Sequence, residues 1–121
     1  MILEIDAVPV PKGRPCFTRA GHVYTPKRTR DYEKLIGLSY RANGGKRHVG
    51  PVNVELRFYY RYGADLDNFV KAALDGLNGV AWLDDRQVVF ITASKVKDTK
   101  NPRLTIAIEP LTVPDGTKGE A

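Results

Sequence analysis

At 121 residues the chain has the size of one compact domain, and folding at that length buries roughly two-thirds of the unfolded surface, enough for a core without disulfides or a structural metal. Its single cysteine, Cys16, excludes an internal disulfide and a zinc-thiolate site, and no apolar run approaches the roughly 20 residues of a membrane span. Nineteen Lys and Arg against fourteen Asp and Glu give a net charge of +5, but residues 1–61 carry twelve basic and five acidic side chains and residues 62–121 carry seven and nine. A basic half joined to an acidic half has a polyanionic partner as one physical explanation and a merely basic soluble protein as the other. The first residues lack a basic segment followed by an apolar one, so no secretory leader is expected and the cytoplasm is the expected compartment.

In chain order, Ile2, Leu3, Ile5, Ala7 and Val8 predict a strand ended by Pro9 and Pro11, which break a central ladder. Ala20-Gly21 between Cys16–Arg19 and His22–Thr25 predicts a small hairpin. Thr25 before Pro26 suits an N-cap with proline at the first helical position, and Tyr32, Leu35, Ile36 and Tyr40 continue at helical spacing, so a helix is expected over 26–42, stopped by Asn43-Gly44-Gly45. Val52, Val54, Leu56 and Phe58 alternate with Asn53, Glu55 and Arg57 as a half-buried strand does. Phe69, Val70, Ala73, Leu74 and Leu77 mark one face of a second helix, capped by Asp67 or Asn68 and closed by Asn78-Gly79. Residues 87–96 and 104–108, rich in branched side chains, predict two more strands. The order argues for a small single α+β domain, a mixed sheet with helices packed on it, over residues 1–109, followed by a flexible tail over 110–121.

The chemistry concentrates in two acidic runs, Asp65-Leu-Asp67-Asn-Phe-Val-Lys71 and Trp82-Leu-Asp84-Asp85. Asp65 and Asp67 fall where a strand gives way to a helix; Asp84 and Asp85 fall after that helix, at the mouth of the next strand. Two carboxylates about 4 Å apart repel by roughly 4 kcal/mol at an effective dielectric near 20, so a converging cluster raises a pKa or holds a cation. Hard oxygen ligands without His or Cys select Mg²⁺ or Mn²⁺. Lys71, one turn beyond Asp67, is placed to meet a phosphate. Each piece also has a plainer reading: Asp67 as a helix cap, Asp65 and the Asp84-Asp85 pair as turn residues, and Lys71 with Asp75 as a surface i,i+4 pair. Trp82 and Leu83 read most simply as core residues. His22 and His48 have no partner acid nearby and Cys16 no surrounding motif, so neither a His-based triad nor a cysteine nucleophile is supported.

The 24-residue run DLDNFVKAALDGLNGVAWLDDRQV, residues 65–88, closely resembles the signature of the RusA family of Holliday-junction resolvases, crossover junction endodeoxyribonucleases. The order of elements on either side extends the resemblance over most of the chain. It implies a RusA-like fold and a Mg²⁺-dependent endonuclease, with Mn²⁺ able to substitute, that resolves four-way DNA junctions by paired nicks as a homodimer in DNA recombination and repair. It further implies that Asp65, Asp67 and Asp85 hold metal, that Lys71 is the catalytic lysine, and that Asp84 is a secondary acid beside the site. No catalytic position of the motif is substituted. DNA contacts do not carry over from the resemblance; Lys12, Arg14, Arg19, Lys27, Arg28 and Arg30 are candidates from charge alone, because an anionic site approaches phosphates only where Lys and Arg overcome the repulsion. The competing readings are a metal nuclease for flaps or other branched DNA, a non-catalytic basic nucleic-acid-binding module, and a structural Ca²⁺ site, which lacks EF-hand spacing.

Overall fold

The computed structural model describes residues 1–14 and 16–111. Strand β1 is Ile2–Ile5, a hairpin is formed by β2 (Cys16–Phe17) and β3 (Val23–Tyr24), and α1 follows at Lys27–Ala42. Strand β4 (Val52–Tyr60), helix α2 (Leu66–Leu77), a single 3₁₀ turn at Asp85–Gln87, β5 (Val88–Lys97) and β6 (Arg103–Pro110) complete the chain. The main sheet has the order β1-β6-β4-β5, with β4 and β5 parallel and the other neighbours antiparallel. The α+β expectation holds: a mixed sheet carries both helices on one face.

Alternation chooses that face. Leu3 and Ile5, then Val52, Val54, Leu56 and Phe58, then Leu104, Ile106 and Ile108 are buried on it in matching register, and Glu55, Arg57 and Thr105 point the other way. Tyr32, Ile36 and Tyr40 of α1 and Phe69, Ala72, Ala73 and Leu77 of α2 close over it. Leu35, grouped with the buried face of α1 by spacing, is exposed instead.

The helices meet where side chains vanish. A Cβ built on Gly76 would lie 2.8 Å from the Glu33 carbonyl oxygen, and one on Gly37 would lie 3.1 Å from the Gly76 carbonyl oxygen. Phe69 stacks on Phe58 with centroids 5.2 Å apart and lies 6.0 Å from Tyr60, an aromatic contact worth about 0.5–1.5 kcal/mol beyond its burial. It seats the first turn of α2 on β4. Lys95 Nζ donates to the Ala64 carbonyl at 2.7 Å and so fastens the approach to α2 onto β5.

Several boundaries differ from the sequence reading. β1 ends at Ile5. Pro26, not Thr25, is the N-cap of α1, and Asp65, not Asp67 or Asn68, occupies the N-cap of α2, in both cases without a side-chain cap bond. Asn78 and Gly79, with φ +79°, close α2 as expected. Leu83 is 68% exposed rather than part of the core. Pro110 pairs with Val52, and the Leu111 N–H bonds the Pro51 carbonyl at 2.9 Å, so sheet pairing passes the expected boundary at 109. The rest of the expected tail, 112–121, lies outside the described residues. No helix among the described residues is long and apolar enough to cross a membrane.

Candidate active site

One stripe of α2 makes one wall of a cleft. Leu66, Asp67, Val70, Lys71, Leu74 and Asp75 repeat at the spacing of a single helical face and, together with Asp85, line a cavity of about 550 Å³. Asp67 and Asp85 therefore share a cleft although 17 intervening residues separate them in sequence. α2 starts beyond the end of β4 and runs back along it, and the segment after it delivers Asp85 at the start of β5, so Asp67 lies toward the N-terminal end of the helix wall and Asp85 toward its other end.

Asp85 is held from behind. Its Oδ1 accepts a 2.8 Å hydrogen bond from Nε1 of Trp82, which is fully buried. A buried indole N–H needs an acceptor, and here the acceptor is a carboxylate on the cleft wall. Burial also removes Trp82 from any base-stacking role. Asp67 and Lys71 are exposed on successive turns. The surface pair considered for Lys71 does not form: Asp75 instead takes Lys12, at 2.9 Å. Among the described residues none of Asp65, Asp67, Lys71 and Asp85 enters an ion pair.

The remaining acids behave differently. Asp65 is exposed at the N-cap of α2, its carbonyl accepting from the N–H groups of Asn68 and Phe69, but its side chain does not line the cleft. Asp84 is committed elsewhere. Its carboxylate accepts from the backbone N–H of Arg86 at 2.9 Å and from that guanidinium at 3.0 and 3.2 Å, and these bonds, the backbone one foremost, hold its pKa below 3.8. Gln87 completes the capping box by accepting from the Asp84 N–H. In this structure Asp84 caps the turn that presents Asp85.

Among the described residues no group of three His, Cys, Asp or Glu side chains is gathered closely enough to hold an ion. Of the carboxylates that face the cleft, Asp75 is paired with Lys12, whereas Asp67 and Asp85 are hard oxygen donors without an internal counter-charge. They fit a cation of the Mg²⁺ type, which takes one or two protein carboxylates and keeps the rest of its shell for water and phosphate.

A second hollow of about 300 Å³, lined by Lys12, Gly13, Arg14, Asn68 and Lys71, adjoins the cleft across Lys71. Lys12, expected as a DNA contact, is engaged inside the fold. Its ammonium lies half-buried between Glu33 of α1, at 2.7 Å, and Asp75 of α2. Burial works against its charge, but both acids outweigh that and raise its pKa above 10.5. Lys27 is exposed but paired with Asp31 at 2.7 Å. Arg14, Arg19, Arg28 and Arg30 are exposed and unpaired among the described residues.

Sequence reasoning missed three positioning groups. Trp82 precedes Asp85 by three residues, a spacing that offered a signal for their bond. Asn68 sits inside the acidic motif, and its carbonyl accepts the Lys12 N–H at 2.8 Å. Buried Thr29 accepts from the Gly13 N–H at 3.1 Å and donates to the Pro11 carbonyl at 3.4 Å, contacts with no local sequence mark.

The model of the endodeoxyribonuclease RusA family matches residues 6–109. The chain is 33% identical over 101 residues to the crossover junction endodeoxyribonuclease RusA of Shigella sonnei, an alignment covering 80% of this chain and 78% of that protein. It is 34% identical over 97 residues to the protein of the same name from Escherichia coli K12, covering 70% of this chain and 81% of that one.

Proposed function

The chain belongs to the RusA family of endodeoxyribonucleases, and on that premise we propose that it is a Mg²⁺-dependent nuclease that resolves four-way DNA junctions by paired symmetric nicks as a homodimer. The observation that carries this reading is the cleft itself: Asp67, Lys71 and Asp85 border one cavity, exposed and without an internal counter-charge. Unpaired carboxylates beside an unpaired ammonium suit a scissile phosphate and its cation better than they suit stability.

Asp67 and Asp85 are the proposed ligands from the cleft walls, with Asp65 contributing from the N-cap of α2. When bound, the ion polarises the phosphodiester and lowers the pKa of the attacking water. The Lys71 ammonium offsets the charge that develops on the phosphate oxygens as the bond to the leaving oxygen breaks. Trp82 keeps Asp85 aimed into the cleft. Arg14, Arg19, Arg28 and Arg30 meet backbone phosphates, contacts that favour shape over sequence.

Two features support the homodimer. A four-way junction is approximately two-fold symmetric, and one cleft makes one cut at a time. In addition, β5 is an edge strand with Val89, Phe90, Ile91 and Val96 exposed along it, and a long apolar edge left uncovered invites aggregation. Asp85, which carries no counter-charge of its own, adjoins its start and Lys95 and Lys97 lie at its end, so antiparallel pairing of two β5 strands brings an acid toward lysines at both ends. The same dyad would carry the Asp67 end of one α2 toward the Asp85 end of its partner's.

The test is cleavage of an end-labelled four-way junction beside matched duplex and flap substrates, in Mg²⁺, Mn²⁺ or EDTA. Metal-dependent paired nicks confined to the junction are expected, lost in Asp67→Asn and Asp85→Asn with junction binding retained. Lys71→Ala is expected to slow cleavage by about 10²–10³-fold. Single cuts at flaps would replace the junction reading, and binding without any cut would overturn the catalytic assignment.

A further inference from the structure

The β2–β3 hairpin has no part in the core, yet Phe17 is 70%, Val23 61% and Tyr24 46% exposed on its four strand positions. A lone exposed apolar residue needs no explanation, but three on one short projecting element do. In register, Phe17 stands opposite Val23 and Cys16 opposite Tyr24, so the two pairs occupy opposite faces of a thin blade. Its tip is well defined: Gly21 has φ +84°, the Thr18 N–H bonds the His22 carbonyl at 2.8 Å, and the His22 N–H bonds Thr18 Oγ1 at 3.1 Å.

Charge identifies what such a blade meets. Residues 7–30 contain six Lys and Arg and no Asp or Glu, so the apolar side chains stand on a basic stretch of chain. A partner that is anionic outside and apolar between its stacked layers is a nucleic acid. The root of the hairpin fixes where it acts. The Lys12 N–H bonds the carbonyl of Asn68, in the first turn of α2 between Asp67 and Lys71, and the Gly13 N–H bonds Thr29. The hollow bordered by Arg14, Asn68 and Lys71 lies between this root and the cleft.

We propose that the β2–β3 hairpin is an arm that inserts Phe17, with Val23 and Tyr24, among the bases at the branch point of a bound DNA. This deepens, and rests on, the branched-DNA reading above. Bases at a branch point are the least firmly stacked in the molecule, so unstacking costs least there and the arm favours a branch over uniform duplex. The phosphates beside the unstacked bases then fall along the hollow toward Lys71. The arm is thus a specificity element, separate from the groups that act on the scissile phosphate.

The experiment uses the full chain in EDTA with a four-way junction carrying 2-aminopurine at the branch point, and the same label inside linear duplex. The unsubstituted chain is expected to raise the fluorescence of the junction on binding and to leave the duplex signal unchanged. Phe17→Ala, and Phe17→Ala with Tyr24→Ala, are expected to suppress the rise and weaken junction binding about tenfold, leaving duplex binding within about twofold and the thermal melt unmoved. Phe17→Trp, which keeps a stacking face, restores the signal. A full fluorescence rise and unchanged affinity in both alanine variants of a chain that cuts junctions overturns the arm alone. Failure of the unsubstituted chain to prefer junctions overturns the branched-DNA reading and the arm with it. Conversion of a dimer to a monomer by Phe17→Ala would make the hairpin a subunit contact and overturn the proposal.

Discussion

Replacing Gly76 by alanine sets two known effects against each other at the contact that positions α2. On helix propensity alanine is better than glycine by up to about 1 kcal/mol, less at Gly76 because it is the penultimate residue of α2, so on propensity alone the variant is stabilised. The structure reverses the sign. The new Cβ would lie 2.8 Å from the Glu33 carbonyl oxygen, 3.0 Å from Ile36 Cβ and 3.1 Å from Glu33 Cα. Two of the three obstacles are backbone atoms in the middle of α1, which yield only if one helix moves off the other. Overpacking of that kind costs about 1–3 kcal/mol, here toward the upper end because no side chain can rotate away. The net expectation is a loss of about 1–2 kcal/mol, or a fall in Tm of about 4–8 °C for a domain of this size. Thermal and urea unfolding followed by circular dichroism measure it, with Gly37→Ala as comparator. At Gly37 the nearest atoms stand 3.1 and 3.4 Å away, so its loss is expected to be smaller. Because α2 carries Asp67 and Lys71, cleavage by the Gly76 variant is expected to fall below its fraction folded. A Tm equal to or above that of the parent would refute the reasoning.

Lys12→Met is expected to lower stability by about 1–3 kcal/mol in urea unfolding, because it leaves Glu33 and Asp75 facing each other without their shared cation; the salt dependence of junction binding should not change, whereas Arg14→Ala should reduce its slope by about one. Trp82→Phe removes the donor to Asp85 and is expected to slow cleavage by about 10–100-fold at unchanged junction affinity; wild-type rates would remove Trp82 from the positioning of the site. The pKa of His48 is lowered by burial and then by the terminal ammonium of Met1, so its contribution is present above the ordinary 6.5 and fades as the pH falls through its lower folded value. Asp98, held below 3.8 chiefly by the Asn101 N–H and then by Arg103, adds a second loss at more acid pH. A pH series of melts is expected to show a plateau above about pH 7, a shoulder that His48→Gln abolishes, and a steep fall below about pH 4.

Local chemistry carried most of the fold. Alternation from Val52 to Phe58, helical spacing from Phe69 to Leu77 and the closing Asn78-Gly79 are written in successive residues, because side-chain direction along a strand or helix follows from backbone geometry alone. The acidic motif and its lysine were legible for the same reason: the spacing of Asp67 and Lys71 already puts them on one helical face. What depended on partners distant in sequence was not legible. Lys12 read as a free cation until α1 and α2 brought Glu33 and Asp75 to it, while Lys71, expected to pair with Asp75, stayed unpaired among the described residues. Asp84 and Asp85 are neighbours in sequence, but one caps a turn and the other receives a buried indole N–H and faces the cleft. That Asp85 reaches the cleft lined by Asp67 was settled by the tertiary path, with α2 packed back along β4 and the chain re-entering the sheet beside it at β5, a long-range arrangement for which a list of residues offers only the possibility.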